Sequence, residues 1–200
     1  MKLPKRIIIG TRNAHKIEEI RDRLRGVSVE FISLDSYPDA PEVVEDGKTF
    51  VENAAKKAGE LARATGEWVM ADDSGLEVDA LDGAPGIFSA RYAGTHGDYE
   101  GNNHKLLREM AGLPPDKRTA RFRCAIVLAK PDGTTAFTVE GTFPGLITEE
   151  PRGKNGFGYD PVFYLPDRGC TVAELTLEEK NRISHRAIAV EAFRRKLPSS

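Results

Sequence analysis

Two alternating runs, Arg118 to Ala129 and Thr134 to Ile147, joined through Pro131-Asp132-Gly133, constrain the fold of this chain most. Alternation at period two marks strands with one buried face, and Pro-Asp-Gly is a strong turn signal, so the pair predicts a long antiparallel hairpin. The rest of the chain mixes strands with helices. Arg6-Ile7-Ile8-Ile9-Gly10 is a short β-branched run that meets Thr11-Arg12-Asn13, which reads as strand, turn and helix cap. The helix that follows is predicted from Ala14 to Leu24, with Ile17, Ile20 and Leu24 on one face and the charges on the other. A second strand is expected around Val27 to Leu34, then an acidic, proline-containing loop from Asp35 to Lys48. Thr49 can cap a helix through Phe50, Ala54, Ala58 and Leu61.

Trp68-Val69-Met70-Ala71 reads as a buried strand that ends on Asp72-Asp73-Ser74-Gly75. That puts the carboxylates at a strand end, where sites in α/β folds gather. Asp79 to Gly101 is rich in Gly and Pro and is expected to be irregular, a length that in compact domains usually carries function. Helices are expected over Asn102 to Met110 and over Thr176 to Leu197, the latter broken near Ser184. These elements describe one α/β domain covering residues 1–200, a length that can bury a sizeable core.

Composition removes several classes of function. A net charge of -2 with 30% charged and 40% hydrophobic residues describes a soluble globular protein without the excess of positive charge that a nucleic-acid duplex requires. No run approaches the roughly 20 apolar residues of a membrane helix, and Met1 to Gly10 is too short and interrupted for a secretory signal, so a cytoplasmic location is expected. Cys124 and Cys170 have no CxxC spacing and no nearby histidine pair, so neither zinc nor a disulfide framework is indicated.

Four segments could carry chemistry. Thr11-Arg12-Asn13-Ala14-His15-Lys16 places a helix N-terminus after a strand, which offers unpaired N–H groups, a positive dipole end and the Lys16 cation to phosphate. It lacks the glycines of a P-loop or a dinucleotide fingerprint, and by itself describes an ordinary capped helix. Glu42, Glu45 and Asp46, with Asp72 and Asp73, form an acidic set in which Asp73 and Glu45 would suffice for magnesium if the fold brought them together. Glu42 and Asp46 read as solvated. On the helix from Thr49, a surface pair between Glu52 and Lys56 is the plain reading, while Asn53 and Lys57 share a face and could aim a donor and a cation at one anion. Gly153-Lys154-Asn155-Gly156-Phe157-Gly158-Tyr159-Asp160-Pro161 concentrates glycines among rings and charges, which suggests special dihedrals or close approach of a ligand. Phe157 and Tyr159 could supply ring faces and Asp160 could accept from a heterocycle edge, although a hairpin loop with buried aromatics has the same composition. Lys180-Asn181-Arg182-Ile183-Ser184-His185-Arg186 ends in a donor cluster at a helix start.

In this order the segments resemble the non-canonical purine nucleoside triphosphate pyrophosphatases, the inosine triphosphatase family. Thr11-Arg12-Asn13 through Lys16, Phe50-Val51-Glu52-Asn53-Ala54, Ala71-Asp72-Asp73-Ser74-Gly75-Leu76, Pro85-Gly86-Ile87-Phe88-Ser89-Ala90-Arg91, Gly156 to Pro161 and Ser184-His185-Arg186 carry the likeness over nearly the whole chain. Arg12, His15 and Lys154-Asn155 depart from it, since many relatives have smaller residues there. The resemblance implies an elongated two-lobed α/β protein with a mixed sheet, flanking helices and a central cleft, usually a homodimer. It implies magnesium-dependent cleavage between the α and β phosphates of inosine, xanthosine and deoxyinosine triphosphates, releasing monophosphate and pyrophosphate.

Carried over by position, the segment Thr11, Arg12, Asn13, Ala14, His15, Lys16 and the pair Asn53 and Lys57 lie on the substrate, with Thr11, Asn13, Lys16 and Lys57 holding the triphosphate. Ser74 contacts substrate beside the metal, and Glu45 and Asp73 bind magnesium. Asp73 also orients or deprotonates the attacking water, and Phe157, Gly158, Tyr159, Asp160, Lys180, His185 and Arg186 surround the base. Donors from Ser184 to Arg186 would pair with the 6-oxo group of hypoxanthine or xanthine and be left unsatisfied by the amino group of adenine. Two other readings meet specific objections. A Maf-like pyrophosphatase lacks the Phe-Gly-Tyr-Asp and Ser-His-Arg segments. A non-hydrolysing binding module would use Lys117, Arg118, Arg121 and Arg123 as a basic stripe, yet alternation puts those arginines on an outer strand face where solvation suffices.

Overall fold

The computed structural model describes residues 4–197; the first residues of the Met1 to Gly10 segment, read as too short and interrupted for a secretory signal, lie outside them. Among the described residues one seven-stranded mixed sheet runs in the order β2-β1-β3-β4-β5-β6-β7. Its strands are β1 (Arg6–Ile9), β2 (Glu30–Ser33), β3 (Val69–Val78), β4 (Thr119–Ala129), β5 (Thr135–Ile147), β6 (Phe163–Leu165) and β7 (Cys170–Thr171). The helices are α1 (Ala14–Arg23), α2 (Phe50–Thr65), α3 (Tyr99–Glu109), α4 (Leu177–Ile183) and α5 (His185–Arg194). The chain folds as two compact units.

The first unit comprises Met1–Asp73, Cys124–Gly141 and His185–Ser200. Its centre is β1, parallel to β2 in the register Ile7↔Phe31 and to β3 in the register Ile8↔Val69. A strand flanked on both edges and covered on both faces has no reason to alternate, and Ile7, Ile8 and Ile9 are all buried. Ile7, Ile9, Met70, Cys124, Ile126 and Leu128 meet Ile20 and Leu24 of α1 and Val190 and Phe193 of α5 in one core. α2 starts on the Thr49 cap and ends at Gly66 in the left-handed region, and it buries Ala54, Ala58, Leu61 and Ala62. Gly10 is obligatory after β1, because a Cβ there would stand 2.9 Å from Val69 Cγ1 and 3.1 Å from Leu61 Cδ1.

The second unit comprises Ser74–Arg123 and Thr142–Ser184. Its core joins Leu76, Val78, Phe122, Ile147 and Phe163 of the sheet to Leu106 and Met110 of α3 and to Val162, Val172 and Leu175. Phe122 and Phe163 pack with centroids 4.4 Å apart. β5 pairs antiparallel with β6, and β6 with β7.

Several expectations need correction. β3 does not stop at Ala71 but runs through both aspartates to Val78, because Asp72 is paired with cations, Asp73 accepts from Asn53, and Leu76 and Val78 are buried. β2 is shorter than Val27 to Leu34, and the irregular stretch after β3 contains 3-10 turns at Asp79–Leu81 and Gly86–Arg91 before Asp98 caps α3. Glu19, assigned by spacing to a charged face, is buried. Arg118 is buried too: its Nε donates to Ile147 O, and its Nη1 and Nη2 donate to Met110 O and Thr148 O. Arg121 pairs with Glu77 and Asp79, and Arg123 with Glu77, so these two arginines of the supposed basic stripe are matched by carboxylates. No helix among the described residues is long and apolar enough to cross a membrane.

Candidate active site

Within the first unit the adjacent aspartates serve opposite faces of β3, as alternation along a strand requires. Asp72 faces α1 and α5. Its Oδ2 lies 2.9 Å from Lys16 Nζ and 3.4 Å from Arg186 Nη2, and Arg186 Nη1 also pairs with Glu19 Oε2. Two carboxylates and two cations thus close a neutral buried network. Burial works against the Asp72 charge, but Lys16, Arg186 and Lys57 outweigh it and hold the carboxyl well below the usual range. The Arg186 guanidinium, although desolvated, is correspondingly pushed up by Asp72 and Glu19.

Asp73 faces α2, where Asn53 Nδ2 donates to its Oδ2 at 2.9 Å. It is 7% exposed, and burial followed by the nearby Glu45 carboxylate raises its pKa despite Lys16 and Asn53. Glu45 comes from the loop before α2, and that loop is bound to the first turns of the helix. Lys57 Nζ lies 2.5 Å from Glu45 Oε1 and donates to Asp72 O at 2.9 Å. Lys56 pairs with Asp46, Lys48 N donates to Glu52 Oε2, and Gly47 N donates to Asn53 Oδ1. The expected Glu52 and Lys56 pair is therefore replaced, since each side chain reaches back to the loop; Glu42 is exposed, as expected. Desolvation of Lys57 is outweighed by Asp72 and Glu45, which raise its pKa and keep it charged.

The turn before α1 is held by its own side chains. Thr11 Oγ1 accepts from Asn13 N, and Asn13 Oδ1 accepts from the N–H groups of His15 and Lys16. Arg12 donates to Ala40 O, and Ala14 and His15 are exposed at the helix start. The Glu45 carboxylate beside Asp73 adds to the cost of the Asp73 charge, and two carboxylates brought together favour a cation. Among the described residues no group of three or more His, Cys, Asp or Glu could hold a metal. Two carboxylates are nonetheless the set that magnesium uses when water and phosphate complete its shell, whereas a closed zinc site needs four protein ligands. Cys124 is no nucleophile, because burial and then Asp72 push its thiol up to about 12.

In the second unit the loop after β5 is folded by its glycines and by Asp160. Gly153, Gly156 and Gly158 all have positive φ, and a Cβ at Gly156 would stand 2.1 Å from Asp160 Oδ2. That oxygen accepts from Phe157 N at 2.9 Å and from Lys180 Nζ at 2.6 Å. Lys180 Nζ also sits 4.4 Å from the Phe157 ring centroid. Asn103 Nδ2 donates to Gly158 O, and Asn155 Nδ2 donates to Leu175 O. Tyr159 is buried in the core with its hydroxyl donating to Ser89 O, so it braces the loop while Phe157 stays half-buried. Ser74 is half-buried where β3 enters this unit.

The sequence reading thus grouped Glu45, Asp73, Asn53, Lys16 and Lys57, which the fold brings together, and Phe157, Asp160 and Lys180, which it also brings together. It assigned Arg186 to a donor cluster, whereas the guanidinium is buried between Asp72 and Glu19; His185 is buried at the start of α5. Glu19 was missed, and a charged residue beside Ile20 in an otherwise regular helix gave no signal. Asn103 and Ser89 were missed because their work is hydrogen bonding to distant loops.

The sequence profile of the Ham1 family matches residues 7–196. The chain is 51% identical over 185 residues to a protein of Geobacter sulfurreducens named dITP/XTP pyrophosphatase, covering 92% of each. It is 55% identical over 186 residues to a protein of the same name from Geobacillus kaustophilus, covering 93% of this chain and 91% of the relative. Among solved structures, a HAM1 protein from Coxiella burnetii superposes with a TM-score of 0.88 at 41% identity, over 95% of this chain and 96% of that one. The Staphylococcus aureus Ham1 protein superposes with a TM-score of 0.85 at 40% identity, over the same shares.

Proposed function

Because the chain belongs to the Ham1 family, we propose that it is a nucleoside triphosphate pyrophosphatase that hydrolyses dITP, XTP and ITP to monophosphate and pyrophosphate. Relatives named dITP/XTP pyrophosphatase, at about half identity over nine-tenths of the chain, support the reaction on the first two of these substrates. The observation that carries the mechanism is the pairing of Glu45 and Asp73 beside Lys16 and Lys57.

Hydrolysis must neutralise a repelling anion and hold a water in line with the phosphorus. Lys16 and Lys57 are the cations assigned to the phosphates, reached from Thr11 and Asn13 at the start of α1. Glu45 and Asp73 are the assigned magnesium ligands, and the ion when bound supplies charge neutralisation and a lowered pKa for water. Asp73, fixed by Asn53, takes the proton of the attacking water at its carboxylate. Asp72 remains an ion-pair anchor for Lys16 and is not a ligand.

For the base we assign Phe157 as the ring face and Lys180 as the donor to the 6-oxo group, with Asp160 holding Lys180 in position. An adenine amino group would leave that donor unsatisfied, at about 1–3 kcal/mol. Arg186 is removed from base contact in this proposal, since Asp72 and Glu19 already engage it. We also propose a cytoplasmic homodimer. The exposed Phe88 ring supports a partner-covered face, and sedimentation at the mass of a single chain would refute it.

The test is pyrophosphate release from dITP, XTP, ATP and GTP with and without Mg2+. Release confined to the first two and abolished by chelation is expected. Equal turnover of all four would remove the assignment of Lys180, and turnover unaffected by chelation would remove that of Glu45 and Asp73.

A further inference from the structure

The side-chain amide of Asn53 is used at both ends. Its Oδ1 accepts from Gly47 N at 2.8 Å, and its Nδ2 donates to Asp73 Oδ2 at 2.9 Å. Gly47 lies two residues after Glu45, so a single planar group ties the segment carrying one carboxylate to the other carboxylate. Asn53 is 1% exposed, in the first turn of a helix that Thr49 caps, and its rotamer is locked by burial. Gly47 fits this contact closely: a Cβ there would come within 2.7 Å of Asn53 Oδ1, 2.8 Å of Glu52 Cβ and 3.1 Å of Asn53 N. Neighbouring side chains reinforce the same tie, with Glu52 on Lys48 N and Lys56 on Asp46.

A buried amide with both functions engaged inside the protein has little left to offer a phosphate. We propose that Asn53 is a positioning residue rather than a substrate ligand: it sets the separation and orientation of the Glu45 and Asp73 carboxylates before any cation arrives, and Gly47 is glycine so that the loop can reach it. This deepens the proposed function and rests on the assignment of those two carboxylates to a divalent cation. Groups that orient ligands from behind typically carry a 10–100-fold share of metal affinity.

The test is Mn2+ binding to the nucleotide-free protein, followed by electron paramagnetic resonance of the free ion, together with steady-state kinetics. Asn53→Ala, which removes both bonds, and Gly47→Ala, which displaces the loop while leaving the Asn53 amide intact, are both expected to weaken Mn2+ binding about 10-fold or more. Asn53→Asp keeps an acceptor for Gly47 N but faces Asp73 with a second carboxylate, so its loss should include a shift of the kcat profile to higher pH that Gly47→Ala lacks. KM for dITP at saturating metal should stay near the parent value in Gly47→Ala. Folded variants that bind Mn2+ within twofold of the parent but show raised KM would overturn the proposal and return Asn53 to the substrate. A parent that binds no Mn2+ would instead refute the cation assignment itself, and the proposal with it.

Discussion

Asp72 and Asp73 are chemically identical neighbours that the strand separates into a structural charge and a working one. Asp72 is fully buried with cationic partners, so Asp72→Asn leaves Lys16 without its carboxylate and Arg186 with Glu19 alone, one buried positive charge in excess. A loss of about 3–5 kcal/mol in unfolding free energy is expected, since breaking a buried pair strands the remaining charge. Asp73→Asn should do the opposite. Its folded pKa is raised by burial and by Glu45, so the ionised carboxylate is a liability to the fold at any pH above its unfolded value of about 3.9. The variant should therefore melt higher than the parent at pH 7, with the gain shrinking as pH falls toward 4, while hydrolysis is lost. Thermal melts at the two pH values check the sign, and an Asp73→Asn protein less stable than the parent at pH 7 would contradict it. The sequence marked both aspartates as a site but could not divide their roles, because the partners that decide them, Glu19, Lys16 and Arg186 against Asn53 and Glu45, are far apart along the chain.

At the scale of elements, the helices were legible because their boundaries are written in local chemistry: Asn13 and Thr49 cap as expected, the C-terminal helical region starts at the Thr176 cap, and Ser184 separates α4 from α5. β3 was misread for the reason that makes it useful. Its burial does not alternate, and a run ending in Asp-Asp-Ser-Gly looks like a turn unless the compensating cations are known. The loop from Gly153 to Pro161 was read correctly as demanding special backbone, and at Gly156 the demand reaches the site, with φ 75° and Asp160 at its back. Gly156→Ala should push the Asp160 carboxylate off Phe157 N and Lys180, at a cost of about 1–3 kcal/mol for the strained residue alone. The expected kinetic signature is a KM for dITP raised at least tenfold with Mn2+ binding to the nucleotide-free protein unchanged. A weakened Mn2+ site in this variant would mean that the loop acts on the carboxylates, against the division of labour proposed for them.

For the whole molecule, the sequence supported one domain with two lobes implied by the resemblance, and the chain builds two cores and passes from one to the other four times, at Asp73, Arg123, Gly141 and Ser184. No composition shift marks these crossings, because three fall inside continuous strands and the fourth at a helix break. Each core therefore depends on segments distant in sequence. α5 completes the first through Val190 and Phe193, so Phe193→Ala should cost about 3–5 kcal/mol although it touches none of the assigned ligands. Denaturant unfolding measures that cost, and a loss below about 1 kcal/mol would show that the C-terminal helix is dispensable to this core. The central claim concerns which bond the assembled residues break. Phosphorus NMR of dITP turnover decides it directly: pyrophosphate with dIMP is the expected outcome, and orthophosphate with dIDP would contradict the account.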